Sequence, residues 1–289
     1  MRIVEKGMIV SVIGAGGKMG TRCSNNLVKH PAEIELYLCE TAEAGIRSIR
    51  EHGLTVTAPE LAVPKSDVII LAVPDKLIKQ VSEGIVKLMS PGSTLIILDP
   101  AAAVAKELAL RDDCTFAVTH PCHPSYFLDQ DTVEARQDYF GGVAGKQDIV
   151  MAKIQGSDEN FAKARRVSEI MFSPVMNSYV MGVRDIAFLE PTLVEILGAT
   201  ALYAMAETVK EAERRGIPRA AAESFMAGHV YNLSANFLGK LNARVSDACL
   251  VAIELGNKLV LREDWKKIWD DEVLDRSIAT MLHPEQHKL

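Results

Sequence analysis

The stretch Met8-Ile-Val-Ser-Val-Ile-Gly-Ala-Gly-Gly-Lys-Met-Gly20 decides how this chain begins to fold. Its apolar, β-branched residues predict a strand, the glycines predict a tight turn, and the segment from Thr21 to His30 is typical of a helix. A strand, a glycine-rich turn and a helix in this order favour dinucleotide binding. The bare backbone admits a pyrophosphate, and the helix start offers it unpaired N–H groups.

The glycines of this turn fit the G-x-G-x-x-G pattern in two phases. One phase starts at Gly14 and ends on Met19, and the other starts at Ala15 and ends on Gly20, with Gly14 as an extra leading glycine. We favour the second phase, because it puts a glycine where helix and strand come closest and leaves Met19 to cover the cofactor. Cofactor contacts are predicted along the whole turn, at Gly14, Ala15, Gly16, Gly17, Lys18, Met19 and Gly20.

An acidic residue follows the second predicted strand, which runs from Ile34 to Cys39. Glu40 lies 20 residues beyond Gly20, where a carboxylate can accept hydrogen bonds from both ribose hydroxyls of a nucleotide. This residue favours NAD over NADP, since it would repel a 2′-phosphate. Arg47 is too far along the next segment to compensate for that repulsion.

Further apolar strands are predicted at Ser66 to Pro74, Ser93 to Asp99 and Phe116 to Thr119. Strands that are apolar throughout are typical of a parallel sheet covered on both faces. We therefore predict an α/β fold in which residues 1–154 form a doubly wound, Rossmann-type NAD-binding domain. Ligands bind such a sheet at the carboxyl ends of its strands, so Val73 and Pro74 are predicted to contact the cofactor as well.

From about residue 155 the pattern changes to a helical period, including a long segment from Tyr179 to Arg215. Residues 155–289 are predicted to form an all-helical domain for substrate binding and dimerisation. Within it, the stretch from Ile186 to Ala206 carries two charges, Glu190 and Glu195, and has no polar face. Such a helix is expected to be buried on all sides, which predicts a homodimer with interleaved helices.

The composition excludes several classes of protein. Of the 289 residues, 48% are hydrophobic and 24% charged, and the net charge of −6 argues against nucleic acid and anionic membranes as partners. No stretch reaches the ~18 uninterrupted apolar residues of a membrane span. The five cysteines are scattered, which indicates a reducing cytoplasm rather than a disulfide framework.

Two histidines stand where a ligand of the sheet would be. His120-Pro-Cys-His-Pro124 leaves the strand that begins at Phe116, so His120 and His123 should face the nicotinamide end of the cleft. Histidine is a natural acceptor for the hydroxyl proton when an alcohol is oxidised by hydride transfer, because its ordinary pKa is near neutral pH. Alternatively, the histidines bond to backbone groups of a loop that the prolines shape.

Glu190 is the strongest candidate in the helical half. It precedes Pro191, which predicts a helix N-terminus or a kink, and a carboxylate beside an apolar helix is costly to bury without a cation, a metal or a substrate hydroxyl. His120 and Glu190, with His123, are ligand types compatible with zinc or another divalent metal. Glu195 lies on a different side of the helix, so its participation stays open.

With these features, the chain resembles members of the superfamily that contains 6-phosphogluconate dehydrogenases, prephenate dehydrogenases and ketol-acid reductoisomerases. The resemblance covers the whole chain and is carried by the glycine turn, by Leu71-Ala-Val-Pro74 and by the helical second half. A narrower resemblance is to a bacterial phosphogluconate-dehydrogenase-like subfamily with D-apionate oxidoisomerase activity. Its motifs are His120-Pro-Cys-His-Pro124, Phe140-Gly-Gly142, Gln147-Asp-Ile-Val150, Leu189-Glu-Pro191 and Phe225-Met-Ala-Gly-His229.

The narrower resemblance implies an NAD-dependent oxidation of a small polyhydroxy acid, coupled to isomerisation, in carbohydrate catabolism. It implies His120 as the proton acceptor, with His123 and Glu190 orienting the substrate or holding a metal, and a product of the 3-oxo-isoapionate type. Two other functions stay open, a prephenate or arogenate dehydrogenase and a non-catalytic regulator that senses NAD. A lysine that 6-phosphogluconate dehydrogenases use as acid and base is not matched here, since no lysine lies between Lys163 and Lys210.

Overall fold

The structure, a computed structural model, describes residues 7–286 of the chain. It contains two compact units. The first comprises the residues up to Ala187 together with those from Ser277, and the second comprises Phe188–Arg276.

The first unit is built on a seven-stranded sheet with the order β2-β1-β3-β4-β5-β6-β7. The strands are β1 (Met8–Ile13), β2 (Ile34–Cys39), β3 (Val68–Leu71), β4 (Thr94–Ile97), β5 (Thr115–Pro121), β6 (Gln147–Gln155) and β7 (Val175–Val180). β1 to β5 are parallel, and every residue of β3 and β4 is buried, because helices cover both faces. The Rossmann-type sheet that the sequence predicts is confirmed.

The helices of this unit are α1 (Lys18–Leu27), α2 (Glu43–Glu51), α3 (Pro59–Ala62), α4 (Asp75–Leu88), α5 (Ala101–Val104), α6 (Val133–Gln137), α7 (Asp158–Met171) and α8 (Val183–Ala187). The second unit contains α9 (Thr200–Arg214), α10 (Arg219–Phe237) and α11 (Asp247–Leu259), and α12 (Asp271–Leu282) runs from it into the first unit. Helices predominate after the sheet, as the sequence predicts.

The last part of the sheet differs from the prediction. β6 is antiparallel to β5, and the predicted domain boundary between residues 154 and 155 falls inside β6, whereas the compact units divide after Ala187. Tyr179, predicted to begin a helix, lies in β7. β7 is an edge strand whose residues are half-buried or exposed, so its sequence lacks the continuous apolar run that revealed β3 and β4.

The apolar stretch around Glu190 forms a π-helical segment, Phe188–Ala199, between α8 and α9. Within the single chain, Pro191 and Thr192 are the buried residues of this segment, and α9 has none. Burial of this helix on all sides was predicted for a homodimer, so it stays a prediction that a single chain does not test. The continuous helix Val183–Arg214 is long and apolar enough to cross a membrane, by length and composition alone, and 22% of its most apolar window is buried.

Candidate active site

The glycine turn connects β1 to α1. Gly14 has a φ of +80°, and a Cβ atom there would lie 2.6 Å from the carbonyl oxygen of Ala72, so glycine is required at this bend. A Cβ atom on Gly20 would lie 2.1 Å from the carbonyl oxygen of Gly14. Gly20 therefore makes a close backbone contact at the predicted position, with Gly14 and Ala15 of the turn that follows β1, and the backbone with positive φ is at Gly14.

The N-terminus of α1 begins directly after this turn. Gly17 is the N-cap residue, and no side chain of the described chain accepts a hydrogen bond from the first turn of α1. The N–H of Gly17 donates to the carbonyl oxygen of Gly14 at 3.1 Å, and Lys18, the first residue of α1, is exposed at the positive end of the helix dipole. The start of α1 therefore fits the pyrophosphate of a dinucleotide, which binds at helix N-termini and needs a bare glycine backbone beside it.

Glu40 lies beside the turn, at the end of β2. Its Oε2 accepts a hydrogen bond from the N–H of Gly16 at 3.0 Å, and its Oε1 accepts from the N–H groups of Thr41 at 2.8 Å and Ala42 at 2.9 Å. Three backbone donors thus hold the carboxylate in one orientation before any ligand binds. A carboxylate in this position can accept hydrogen bonds from the ribose hydroxyls of a nucleotide.

The other residues predicted to bind the cofactor have mixed surroundings. Ala15 is buried in the core, and Met19 is partly buried against the same core. A Cβ atom on Gly14 would lie 3.0 Å from Cγ1 of Val73, and Pro74 is the N-cap residue of α4. The fold therefore brings the carboxyl end of β3 against the glycine turn.

His120 lies at the end of β5 and is half-buried. Its Nδ1 is 2.8 Å from the carbonyl oxygen of Leu98. A carbonyl oxygen accepts hydrogen bonds and cannot donate them, so we assign the proton of the neutral ring to Nδ1 and the lone pair to Nε2. In this tautomer Nε2 is the nitrogen that takes up a proton, as a general base must.

His123 lies close to His120, as predicted. The two ring centroids are 6.2 Å apart and the rings are perpendicular. His123 has a φ of +62°, which is rare for a residue other than glycine, and its Nδ1 donates to the carbonyl oxygen of Phe140 at 2.8 Å. The loop thus holds an exposed imidazole in a conformation that costs on the order of 1–3 kcal/mol, as is common at functional sites.

Phe140 connects this loop to α1, a contact that the sequence did not predict. Its exposed ring has Nζ of Lys18 4.3 Å from the centroid and the guanidinium carbon of Arg22 4.8 Å from it. The ring also packs against His123, at 6.0 Å between centroids. The adjacent Gly141 and Gly142, both with positive φ, were the sequence signal for a sharp loop at this position.

Asp138 stabilises the same loop. Its Oδ2 accepts hydrogen bonds at 3.0 Å from the N–H groups of Val143, Ala144 and Gly145. Burial alone would raise the pKa of this carboxyl group, but the three hydrogen bonds and the charge of Arg22 outweigh it and lower the pKa. The loop that presents Phe140 and His123 is therefore anchored by an ionised carboxylate.

Asp75 is a further titratable residue at the carboxyl ends of the strands, with no role predicted from the sequence. Partial withdrawal from water and the nearby charge of Asp99 raise its pKa from 3.8 to about 6, while His120 opposes this shift. The side chain of Asp75 stays partly accessible to solvent. Three titratable groups, Asp75, Asp99 and His120, thus lie at the carboxyl ends of the adjacent strands β3, β4 and β5.

The raised pKa of Asp75 predicts a pH-dependent stability. The folded chain binds the Asp75 proton more tightly than the unfolded chain, so this group favours folding below about pH 4 and the benefit is lost as pH rises through about 6. We expect Asp75→Asn to be more stable than wild type at about pH 8, by on the order of 1 kcal/mol after solvent screening, and equally stable at about pH 4. Urea unfolding of wild type and Asp75→Asn at each pH measures the two differences in stability.

The matched control for this measurement is Asp112→Asn, an exposed aspartate in the loop before β5. Its stability relative to wild type should not change with pH in the same way. A difference between Asp75→Asn and wild type that is constant across this pH range would contradict the prediction.

Glu190 and Glu195 both lie in the π-helical segment of the second unit, Glu190 half-buried and Glu195 exposed. Glu190 is the third residue of this segment, within a continuous helix, so the predicted kink is the better description and not a new N-terminus. Within residues 7–286, no group of three or more His, Cys, Asp or Glu side chains is arranged to hold a metal ion. The described residues therefore give no support for the predicted zinc-like site at His120 and Glu190.

Comparison with protein families gives two matches. Residues 4–128 match the NADPH-binding domain of acetohydroxy acid isomeroreductase, and residues 128–282 match the C-terminal domain of decarboxylating phosphogluconate dehydrogenase. Together they cover both units.

Curated relatives match almost the whole chain. The D-apionate oxidoisomerase of Blautia hydrogenotrophica is 66% identical over 284 residues, which are 98% of this chain and 99% of that protein. The D-apionate oxidoisomerase of Pectobacterium atrosepticum is 42% identical over 94% of this chain and 95% of its own.

Among solved structures, a semialdehyde dehydrogenase NAD-binding protein from Cupriavidus necator, in complex with calcium and NAD, has a TM-score of 0.92. It is 39% identical, and the match covers 96% of this chain and 100% of the other. An NADH-preferring ketol-acid reductoisomerase from an uncultured archaeon has a TM-score of 0.67 at 17% identity, over 96% of this chain and 84% of its own, and shares the fold.

Proposed function

Since this chain belongs to the family of the D-apionate oxidoisomerases, we propose that it oxidises D-apionate with NAD and isomerises the oxidised sugar acid. Oxidoreductase activity with NAD is a property of the family, and the substrate is our proposal. The observation that carries it is the His120 ring, whose Nδ1 bonds to the Leu98 carbonyl oxygen, which assigns the basic lone pair of the neutral ring to Nε2. An alcohol dehydrogenation requires a base of this kind.

We propose that NAD lies along the carboxyl edge of the sheet. Its pyrophosphate would meet the N–H groups at the start of α1, near Gly17 and Lys18, and Glu40 would accept hydrogen bonds from the adenosine ribose. Val73 and Pro74, beside the turn, would contact the cofactor further along the edge. Bound NAD supplies the hydride acceptor for the oxidation.

The protein side of the oxidation is a proton transfer. As the carbon that bears the substrate hydroxyl gives up its hydride, Nε2 of His120 takes the hydroxyl proton, and Nδ1 keeps its own proton, hydrogen-bonded to the Leu98 carbonyl oxygen. The negative charge of Asp75 and Asp99 nearby would stabilise the imidazolium that forms. This arrangement keeps the ring in one orientation throughout the step.

We propose that His123 and Glu190 orient the substrate. The support for His123 is its strained backbone, its exposed ring and its contact with His120. The support for Glu190 is its half-buried carboxylate within a π-helical segment, a feature that is frequent at functional sites. A polyhydroxy acid offers hydroxyl groups that both side chains can bind.

The test of this function is NADH formation by the purified chain with NAD and a panel of substrates. We expect rapid NADH formation with D-apionate, and a rearranged carbon skeleton in the product by NMR. NADH formation with prephenate or arogenate instead would support the second enzyme function. NAD binding without NADH formation from any sugar acid would support the NAD-sensing regulator.

We also propose that the chain is a homodimer. Large apolar side chains of the second unit are exposed on three helices, including Leu202 and Tyr203 on α9, Phe225 and Phe237 on α10, and Leu259 on α11. A monomer rarely exposes this much apolar surface, and a second copy would cover it. Sedimentation equilibrium without detergent should give twice the chain mass of 31.6 kDa, and a mass of one chain would contradict the proposal.

A cytoplasmic location is proposed as well, because all five cysteines are free thiols, as expected in a reducing compartment. Fractionation of cells that express the chain would test it, and recovery with the membrane pellet would contradict it.

A further inference from the structure

Gly45, in the first turn of α2, packs against two residues of the proposed cofactor site, Gly16 and Glu40. It is buried, and its Cα atom would lie 2.3 Å from a Cβ atom placed on Gly16. A Cβ atom placed on Gly45 itself would lie 2.7 Å from Cδ and from Oε2 of Glu40. Gly16, Gly45 and Glu40 therefore form one three-way contact, in which two residues without side chains leave room for one carboxylate.

The two glycines of this contact differ in what a side chain would displace. A side chain on Gly16 would collide with backbone atoms of Gly45, which cannot move without shifting α2. A side chain on Gly45 would collide with the far end of the Glu40 side chain, which can rotate. A change at Gly45 should therefore disturb the carboxylate without disturbing the fold.

The position of the Glu40 carboxylate matters because its two oxygens bond to different elements, the glycine turn and the start of α2. Oε2 of Glu40, the oxygen that a methyl group on Gly45 would displace, is the one that accepts from the N–H of Gly16. Oε1 caps the start of α2 through the N–H groups of Thr41 and Ala42. Displacing Oε2 would break the bond to the glycine turn and move the group that faces the ribose.

We propose that Gly45 is a positioning residue for cofactor selectivity. Because Gly45 has no side chain, the Glu40 carboxylate has room to stay where it accepts a hydrogen bond from a 2′-hydroxyl and repels a 2′-phosphate. Gly45 acts through Glu40 and does not itself contact the nucleotide. The inference rests on the proposed place of NAD, and it adds that Gly45 of helix α2, acting on Glu40, helps to set the choice between NAD and NADP.

The test is Gly45→Ala in the full chain. We expect the dissociation constant for NAD to rise about 10-fold or more, because a charged hydrogen-bonding group is displaced. NADP binding should not weaken in parallel, so the ratio of kcat/KM for NAD to that for NADP falls. The kcat at saturating NAD should stay near wild type, and Tm should change little, because the gain from alanine in a helix offsets the lost hydrogen bond between Glu40 and Gly16.

The matched control is Gly84→Ala in α4. Gly84 is exposed, and a Cβ atom there would have no atom within 4 Å. This variant should gain helix stability as Gly45→Ala does, with NAD and NADP binding unchanged. It separates the effect of alanine in a helix from the effect on Glu40.

A double-mutant cycle with Glu40→Ala shows whether Gly45 acts through the carboxylate. In the Glu40→Ala background, Gly45→Ala should change NAD binding little. If Glu40→Ala leaves NAD binding unchanged, the proposed role of Glu40 fails. If Glu40→Ala weakens NAD binding but Gly45→Ala does not, or if Gly45→Ala weakens NAD and NADP equally, the inference about Gly45 is overturned.

Discussion

Replacing His120 with asparagine should lower kcat for NADH formation from D-apionate by about 10²- to 10⁴-fold, the usual contribution of a general base. The Asn side chain can still donate to the Leu98 carbonyl oxygen, the partner of Nδ1 in the wild type, so β5 should keep its structure. It has no nitrogen that takes up a proton near neutral pH, so the hydroxyl proton must leave to water. NADH absorbance under saturating NAD measures the loss.

The control for this variant is His30→Asn, at a half-buried histidine whose ring faces Glu33 near the start of β2. It should keep wild-type kcat, and both variants should bind NAD as wild type does. If His120→Asn turned over D-apionate at a rate within a few-fold of wild type, His120 would not be the base, and the mechanism proposed above would be wrong.

The second large effect is expected at Gly20. A methyl group there would lie 2.1 Å from the Gly14 carbonyl oxygen and 2.7 Å from the Ala15 Cα atom, both of them backbone atoms of the turn. Because neither atom can rotate away, Gly20→Ala must push α1 off β1, and we expect a loss of about 3 kcal/mol in the free energy of unfolding. Urea unfolding followed by circular dichroism measures this loss.

Gly17→Ala is the matched comparison within the same turn. Its Cβ atom would be 3.4 Å from the Gly14 carbonyl oxygen, an ordinary contact, so its cost in stability should stay below about 1 kcal/mol. Its methyl group would instead occupy the start of α1, where the pyrophosphate is proposed to bind, so NAD affinity should fall. Equal losses of stability in the two variants would show that the close contact at Gly20 is not the constraint we infer.

The sequence predicted the parallel part of the sheet well, because β3 is apolar at every position and β4 at every position except Thr94, and both strands are fully buried. It failed at β7, where an edge strand mixes Asn177 and Ser178 with apolar residues and has no clear period. Local pattern is strong where a strand is buried on both faces and weak where one edge meets solvent.

For the candidate site, the sequence predicted which segments meet at the carboxyl edge but not which side chains touch. His120 and His123 were predicted together, and the structure brings their rings into contact. The contact of Lys18 with Phe140 could not be predicted, since it joins residues 122 positions apart in the chain through a loop without periodicity. The zinc-like site was predicted from ligand types alone, which do not fix the arrangement of donors.

What the sequence determined by itself is the kind of fold, and it predicted where the cofactor binds, because hydrophobic period and glycine position are local properties that constrain each segment directly. The tertiary structure decided which atoms hold the functional groups: the Leu98 carbonyl oxygen that selects the tautomer of His120, and the bare backbone of Gly45 that leaves room for the Glu40 carboxylate. Such contacts join elements that are distant along the chain, and their distances follow from packing rather than from any local pattern.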